Sequence, residues 1–165
     1  MECRWLFLKA SSEEYIISVD FKIFLKTMDQ DITGDPPHLL VAEDGSYYLQ
    51  GGHNEASGKY VFPLMGGDRE FFQPVPLKRE GTIWSFTVQR FRPKTPPYAG
   101  PDDFTPYLVA YVDLPGQLKV EARLVDIEED EVEIGLPVEL TVVPDINGAP
   151  GSVMHAFRPM AKGAA

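Results

Sequence analysis

Seven residues around one proline-rich loop carry side chains suited to gripping phosphate, stacking on a flat ring or lying against another protein. Arg90, Arg92 and Lys94 form a basic patch at the start of the loop, Tyr98 sits within it, and Asp103, Phe104 and Tyr107 close it. Guanidinium and ammonium groups pair with phosphate oxygens, and aromatic rings such as these, with Trp84 and Phe91 nearby, accept a stacked base. The loop itself, Pro93 to Pro106, holds five prolines and one glycine. Prolines reduce the entropy lost when a long loop adopts one shape, and loops beyond about 12 residues are usually functional or disordered. From the residues alone three uses stay open: contact with a partner protein, contact with a phosphorylated ligand, and simple packing.

Other chemistries find less support. Cys3 has no histidine or asparagine in its neighbourhood to activate it as a nucleophile. His38, His53 and His155 are scattered over a linker, a hairpin region and the last strand, with no metal-ligand spacing between any two. Gly51-Gly52 and Gly66-Gly67 lack the following Lys-Ser/Thr of a phosphate loop and are read as tight turns. Asp102 and Asp103 are adjacent loop acids, expected to sit in water with ordinary ionisation. No catalytic residue and no metal ligand is therefore expected.

The loop must be held by what flanks it. Gly81 to Phe91 alternates apolar with polar residues, the period of a strand with one buried face. Tyr107 to Leu114 is a second β-branched and aromatic run, closed by a Pro115-Gly116 turn. Further strands are expected at Leu118 to Val125, Val138 to Val143 and Val153 to Phe157, with the acidic run Asp126 to Gly135 as a solvated connection or short helical turn. Five strands with unequal loops are what an OB barrel requires. Upstream, Leu39 to Gly52 reads as a hairpin turning at Glu43-Asp44-Gly45-Ser46, Lys59 to Pro63 as a short strand, and Phe71 to Leu77 as an extended lead into the barrel. Residues 1–30 differ in texture, with no glycine and no proline. Ser11-Ser12-Glu13-Glu14 resembles a helix cap, and Ile17, Phe21, Phe24, Leu25 and Met28 follow at helical spacing; a strand pair over Tyr15–Val19 and Lys22–Leu25 is the alternative.

Composition sets the bounds. A chain of 165 residues with 44% apolar residues has the size and make-up of a globular protein of one or two units. No apolar run approaches the ~20 residues of a membrane span, and the single cysteine suits a reducing compartment, so a cytoplasmic location is expected. Acids outnumber bases in both halves, for a net charge of −10. An OB barrel that grips single strands needs a positive groove, so nucleic acid is an unfavoured partner.

The pieces EGTIWSFTVQRFRP, PPYAGPDDFTPYLVAYVDL, KVEARLVD, EIGLPVELTVVP and HAFRPM, in that order, resemble a known family. It is the zinc-ribbon-plus-OB-fold, acyl-CoA-associated family long filed as domain of unknown function thirty-five. The resemblance covers Tyr47 to Met160 and implies a mainly β chain. Its expected parts are an N-terminal helical, partner-docking segment (1–36), a rubredoxin-like ribbon (37–75), a five-stranded OB-fold domain (76–160) and a tail (161–165). It further implies a non-catalytic accessory subunit that docks on a thiolase- or ketosynthase-like enzyme and helps shape its substrate channel, with a coenzyme A thioester at the shared interface. Arg90, Arg92, Lys94, Tyr98, Asp103, Phe104 and Tyr107 then become candidate contacts to partner or coenzyme A. A different class of function, an OB-type module for a nucleotide or single strand, is the alternative.

This sequence departs from the family at the ribbon. The frame from Leu49 to Asp68 keeps "GG", "SGKYVFP" and "MGGD" but has none of the four cysteines of two Cys-x-x-Cys knuckles. His53 alone cannot replace them. A metal-free ribbon is expected, held instead by Tyr47, Tyr48, Tyr60, Phe62, Phe71 and Phe72.

Overall fold

The computed structural model describes residues 38–42, 44–92, 94, 103–145 and 151–161. The N-terminal segment expected over 1–36, and Tyr98, lie outside these residues.

A small sheet forms first. β1 (Leu39–Val41), β2 (Tyr47–Asn54), β3 (Lys59–Val61) and β4 (Gln73–Pro76) assemble around β2, which pairs antiparallel with the other three. Register places Leu39 opposite Leu49, Gly52 opposite Val61, and Gln50 opposite Pro76. Pro74 and Pro76 withhold two backbone donors from β4, as suits a strand paired along one edge. A turn of 3-10 helix, Gly66–Glu70, links β3 to β4.

The second body is a closed barrel of β5 (Glu80–Gln89), β6 (Tyr107–Asp113), β7 (Lys119–Leu124), β8 (Pro137–Pro144) and β9 (Val153–Pro159), in the order β5-β6-β7-β9-β8. All neighbours are antiparallel except β7 and β9. This is the expected mainly β, five-stranded OB fold.

Alternation explains the barrel. Leu108, Ala110 and Val112 face Leu124, Ala122 and Val120 across the β6–β7 ladder, and all six are buried. Phe157 lies opposite both Leu140 and Leu124 and is fully buried. Burying such a ring contributes roughly 1.5–3 kcal/mol. Leu39, Leu49 and Leu77 from the small sheet and its exit belong to the same buried cluster as the barrel residues. The Leu77 amide donates to the Leu49 carbonyl at 2.8 Å, so the chain enters the barrel already pinned to β2.

Two expectations need correction. Gly51 and Gly52 are not turn residues: both lie within β2 and are buried. A Cβ on Gly51 would stand 2.7 Å from Leu77 Cδ2, and one on Gly52 would stand 2.7 Å from both Leu64 Cδ1 and Phe72 Cβ. Glycine is needed there for close approach of the layers, not for a special dihedral. The aromatic set expected to hold the ribbon also divides. Tyr47, Tyr60 and Phe62 pack against the core. Tyr48 lies under Arg79, whose guanidinium carbon is 5.4 Å from the ring centre, and Phe71 is 67% exposed.

Candidate functional site

The two ends of the long loop are anchored differently. β5 runs out at Gln89, and Arg90 Nη2 then meets Glu129 Oε1 at 2.5 Å, tying the exit to the 3-10 turn Glu129–Glu131. Both side chains are about half exposed, so this pair adds little stability. Phe91, Arg92, Lys94 and Asp103 are exposed. At the return, the rings of Phe104 and Tyr107 lie 5.8 Å apart, and Arg123 from β7 sets its guanidinium carbon 3.7 Å over the Tyr107 ring. Of the seven expected contacts, Phe104 and Tyr107 are thus brought together. Arg90 is turned to a carboxylate.

Arg123 was not among the expected contacts. The alternation of β7 placed Lys119, Glu121 and Arg123 on one face, but which ring each meets depends on the β6–β7 register. That register sets Asp113 opposite Lys119, Tyr111 opposite Glu121, and Val109 opposite Arg123, diagonal to Tyr107.

Further along the same outer face lies a second aromatic group. Ile83 pairs with Val112 and Ser85 with Tyr111, so Trp84 is the extra residue of a β-bulge. Its ring contacts run to Tyr111, at 6.4 Å and nearly perpendicular, and to Lys119, whose Nζ stands 5.0 Å from the ring centre. Lys119 also pairs with Asp113 at 3.6 Å. The Tyr111 hydroxyl donates to the Glu121 carboxylate, a bond that raises its ionisation above the ordinary phenol value.

A third cluster sits between the small sheet and the barrel. His38, just ahead of β1, places Nε2 3.1 Å from Nδ1 of His155 in β9. His155 Nε2 lies 3.0 Å from the Glu121 backbone carbonyl. Phe62 meets both imidazoles edge-on, at 5.5 Å and 5.7 Å. A carbonyl only accepts, so His155 carries its proton on Nε2, and its Nδ1 accepts from His38 Nε2–H. Burial favours the neutral rings: it lowers the His38 pKa to about 4, helped by the neighbouring His155, and lowers that of His155 as well. The separation of these histidines in sequence concealed the pairing. His53 stacks on Tyr60 at 4.4 Å instead. Among the described residues no group of three or more His, Cys, Asp or Glu is placed to hold a metal ion. No helix among them is long and apolar enough to cross a membrane.

An OB barrel with a small β-sheet packed on its core, and aromatic-cationic groups on its outer strands, defines the class: an OB-fold protein. Residues 74–143 match the family described as ChsH2, C-terminal OB-fold domain, and the chain belongs to this family. It is 36% identical over 125 residues to the benzoylsuccinyl-CoA thiolase subunit BbsA of Geobacter metallireducens, covering 72% of this chain and 80% of that subunit. It is also similar to a solved chain of the Ltp2–ChsH2(DUF35) aldolase, with 26% identity and a TM-score of 0.50 over 68% of this chain and 84% of that one.

Proposed function

We propose that this chain is a non-catalytic accessory subunit of a thiolase- or ketosynthase-like enzyme that processes acyl-CoA by a thiolase, acyltransferase or aldolase reaction. The observation that carries the reading is the 36% identity to a thiolase subunit across 80% of that subunit's length. The likeness to a chain of an aldolase complex supports the same class. In this reading the protein docks on the enzyme in the cytoplasm and helps form its substrate channel. Arg92, Lys94 and the Phe104–Tyr107–Arg123 group flank the proline-rich loop at the shared boundary, where a coenzyme A thioester would offer phosphates to the cations and adenine to the rings. The barrel supplies rigid placement, and the reacting groups belong to the partner.

The test is purification of the full tagged chain from its native cells. A thiolase-type subunit in stoichiometric amount, and cleavage of an acyl-CoA by the pair but not by this chain alone, is the expected result. Cleavage by the isolated chain overturns the reading. Recovery with single-stranded nucleic acid, weakening steeply with salt, favours the nucleotide-binding alternative instead.

A further inference from the structure

We propose that the outer face of β5, β6 and β7 centred on Trp84 and Tyr111 is the surface that seats this chain on its thiolase-type partner, filling an apolar concavity there. The inference rests on the accessory-subunit reading and names the face that carries it.

The bulge is the first observation. A strand that simply alternated would carry one residue per pair through this stretch; here an extra residue is inserted, and that residue is a tryptophan 56% exposed. Bulges re-aim side chains at functional places. The second is rigidity. Trp84, Tyr111 and Lys119 stand on three adjacent barrel strands rather than on loops, and each is held by a neighbour: Trp84 by the edge of Tyr111 and the Lys119 cation, Tyr111 by Glu121, Lys119 by Asp113. A fixed aromatic pair loses little entropy on binding, and Trp and Tyr are the residues that dominate interface energies.

Charge decides the occupant. On a chain of net charge −10, the charges of this patch nearly cancel: Lys119 pairs with Asp113 and lies over the Trp84 ring, while Glu121 keeps its charge and accepts from the neutral Tyr111 hydroxyl. Burying such a patch leaves one carboxylate, that of Glu121, to be met from the other side. It asks for a concave surface that is apolar under the two rings and sets a basic or hydrogen-donating group opposite Glu121. Phosphate-rich ligands gain nothing from a cation already neutralised, and two copies of a chain this acidic repel each other.

The experiment uses the full chain and the thiolase-type subunit recovered with it, titrated against one another. Trp84→Ala and Tyr111→Ala each weaken association by at least about tenfold, as loss of an aromatic anchor does. Phe71→Ala and Met65→Ala, which remove exposed apolar side chains of the small-sheet region, change it by no more than about twofold. Both anchors are exposed, so melting curves report whether each variant stays folded, and Tyr111→Ala serves if Trp84→Ala does not. Unchanged affinity in the folded anchor variants, with wild type binding normally, overturns the assignment of this face and leaves the accessory reading standing. Failure of the wild-type chain to bind any thiolase-type subunit overturns both. A Trp84→Ala variant that turns a dimer of this chain into a monomer while binding the enzyme as before makes a second copy the occupant, and overturns the proposal.

Discussion

His38 Nε2 donates to His155 Nδ1 across 3.1 Å, and His155 passes the pattern on by donating its own Nε2–H to the Glu121 carbonyl. The two rings share this hydrogen bond as long as one of the facing nitrogens, Nε2 of His38 or Nδ1 of His155, is left without a proton. Protonation of both rings would set two N–H groups against each other, with two positive charges side by side.

Stability should therefore fall in mild acid. Both imidazoles titrate below their ordinary value in the folded chain, so the unfolded chain binds more protons between pH 6.5 and about 4. The contribution is full above pH 6.5 and is lost as pH falls through that window. The hydrogen bond to the Glu121 carbonyl and then the Glu121 charge favour the protonated form of His155, and they oppose the burial effect without overcoming it. After allowance for partial exposure, the loss between pH 7 and pH 5 is about 1 kcal/mol. His38→Gln keeps a donor for His155 Nδ1 but cannot be protonated. Melting curves of this variant should show a correspondingly flatter response over the same pH range; an unaltered slope refutes the account.

Glycine substitutions separate packing from mere flexibility. A Cβ on Gly81 would stand 2.5 Å from the Asp113 carbonyl oxygen, a backbone atom that cannot move aside. Gly81→Ala is expected to lower stability by about 1–3 kcal/mol through overpacking of the β5–β6 ladder. Gly67→Ala, where nothing lies within 4 Å of the new carbon, should change it by less than about 0.5 kcal/mol. Urea denaturation of the two variants reads the difference directly.

Chelation tests the altered ribbon. Leu39, Leu49 and Leu77 share the barrel's core and Tyr47, Tyr60 and Phe62 pack on it, apolar contact that would hold the small sheet without a metal. A strong chelator should leave the melting temperature where it was. A fall of several degrees would reveal a bound ion.

Arg90 offers a reading of the loop that is free of folding effects. Its exposed pair with Glu129 contributes no more than about 1 kcal/mol, so Arg90→Ala should melt close to wild type. If the loop meets the partner, the same variant should bind the thiolase-type subunit several-fold more weakly. Equal affinity would confine Arg90 to its intramolecular carboxylate.

The sequence by itself determined the strands and hence the barrel. Alternation and runs of β-branched and aromatic residues are local signals, and they placed β5 to β9 within a residue or two of Glu80–Gln89, Tyr107–Asp113, Lys119–Leu124, Pro137–Pro144 and Val153–Pro159. The missing ribbon cysteines were legible in the same way, because ligand identity is written in residue type. What only the tertiary structure decided depends on register and on contact between distant segments. Trp84 reads as one more apolar residue in an alternating strand until the pairing with β6 makes it the extra one. Gly51 and Gly52 look like a turn until Leu77, Leu64 and Phe72 close over them. Arg123 meets Tyr107 through the β6–β7 register, and His38 meets His155 across 117 residues of chain. No spacing rule reaches that far, because such pairs are set by how two packed layers share one core.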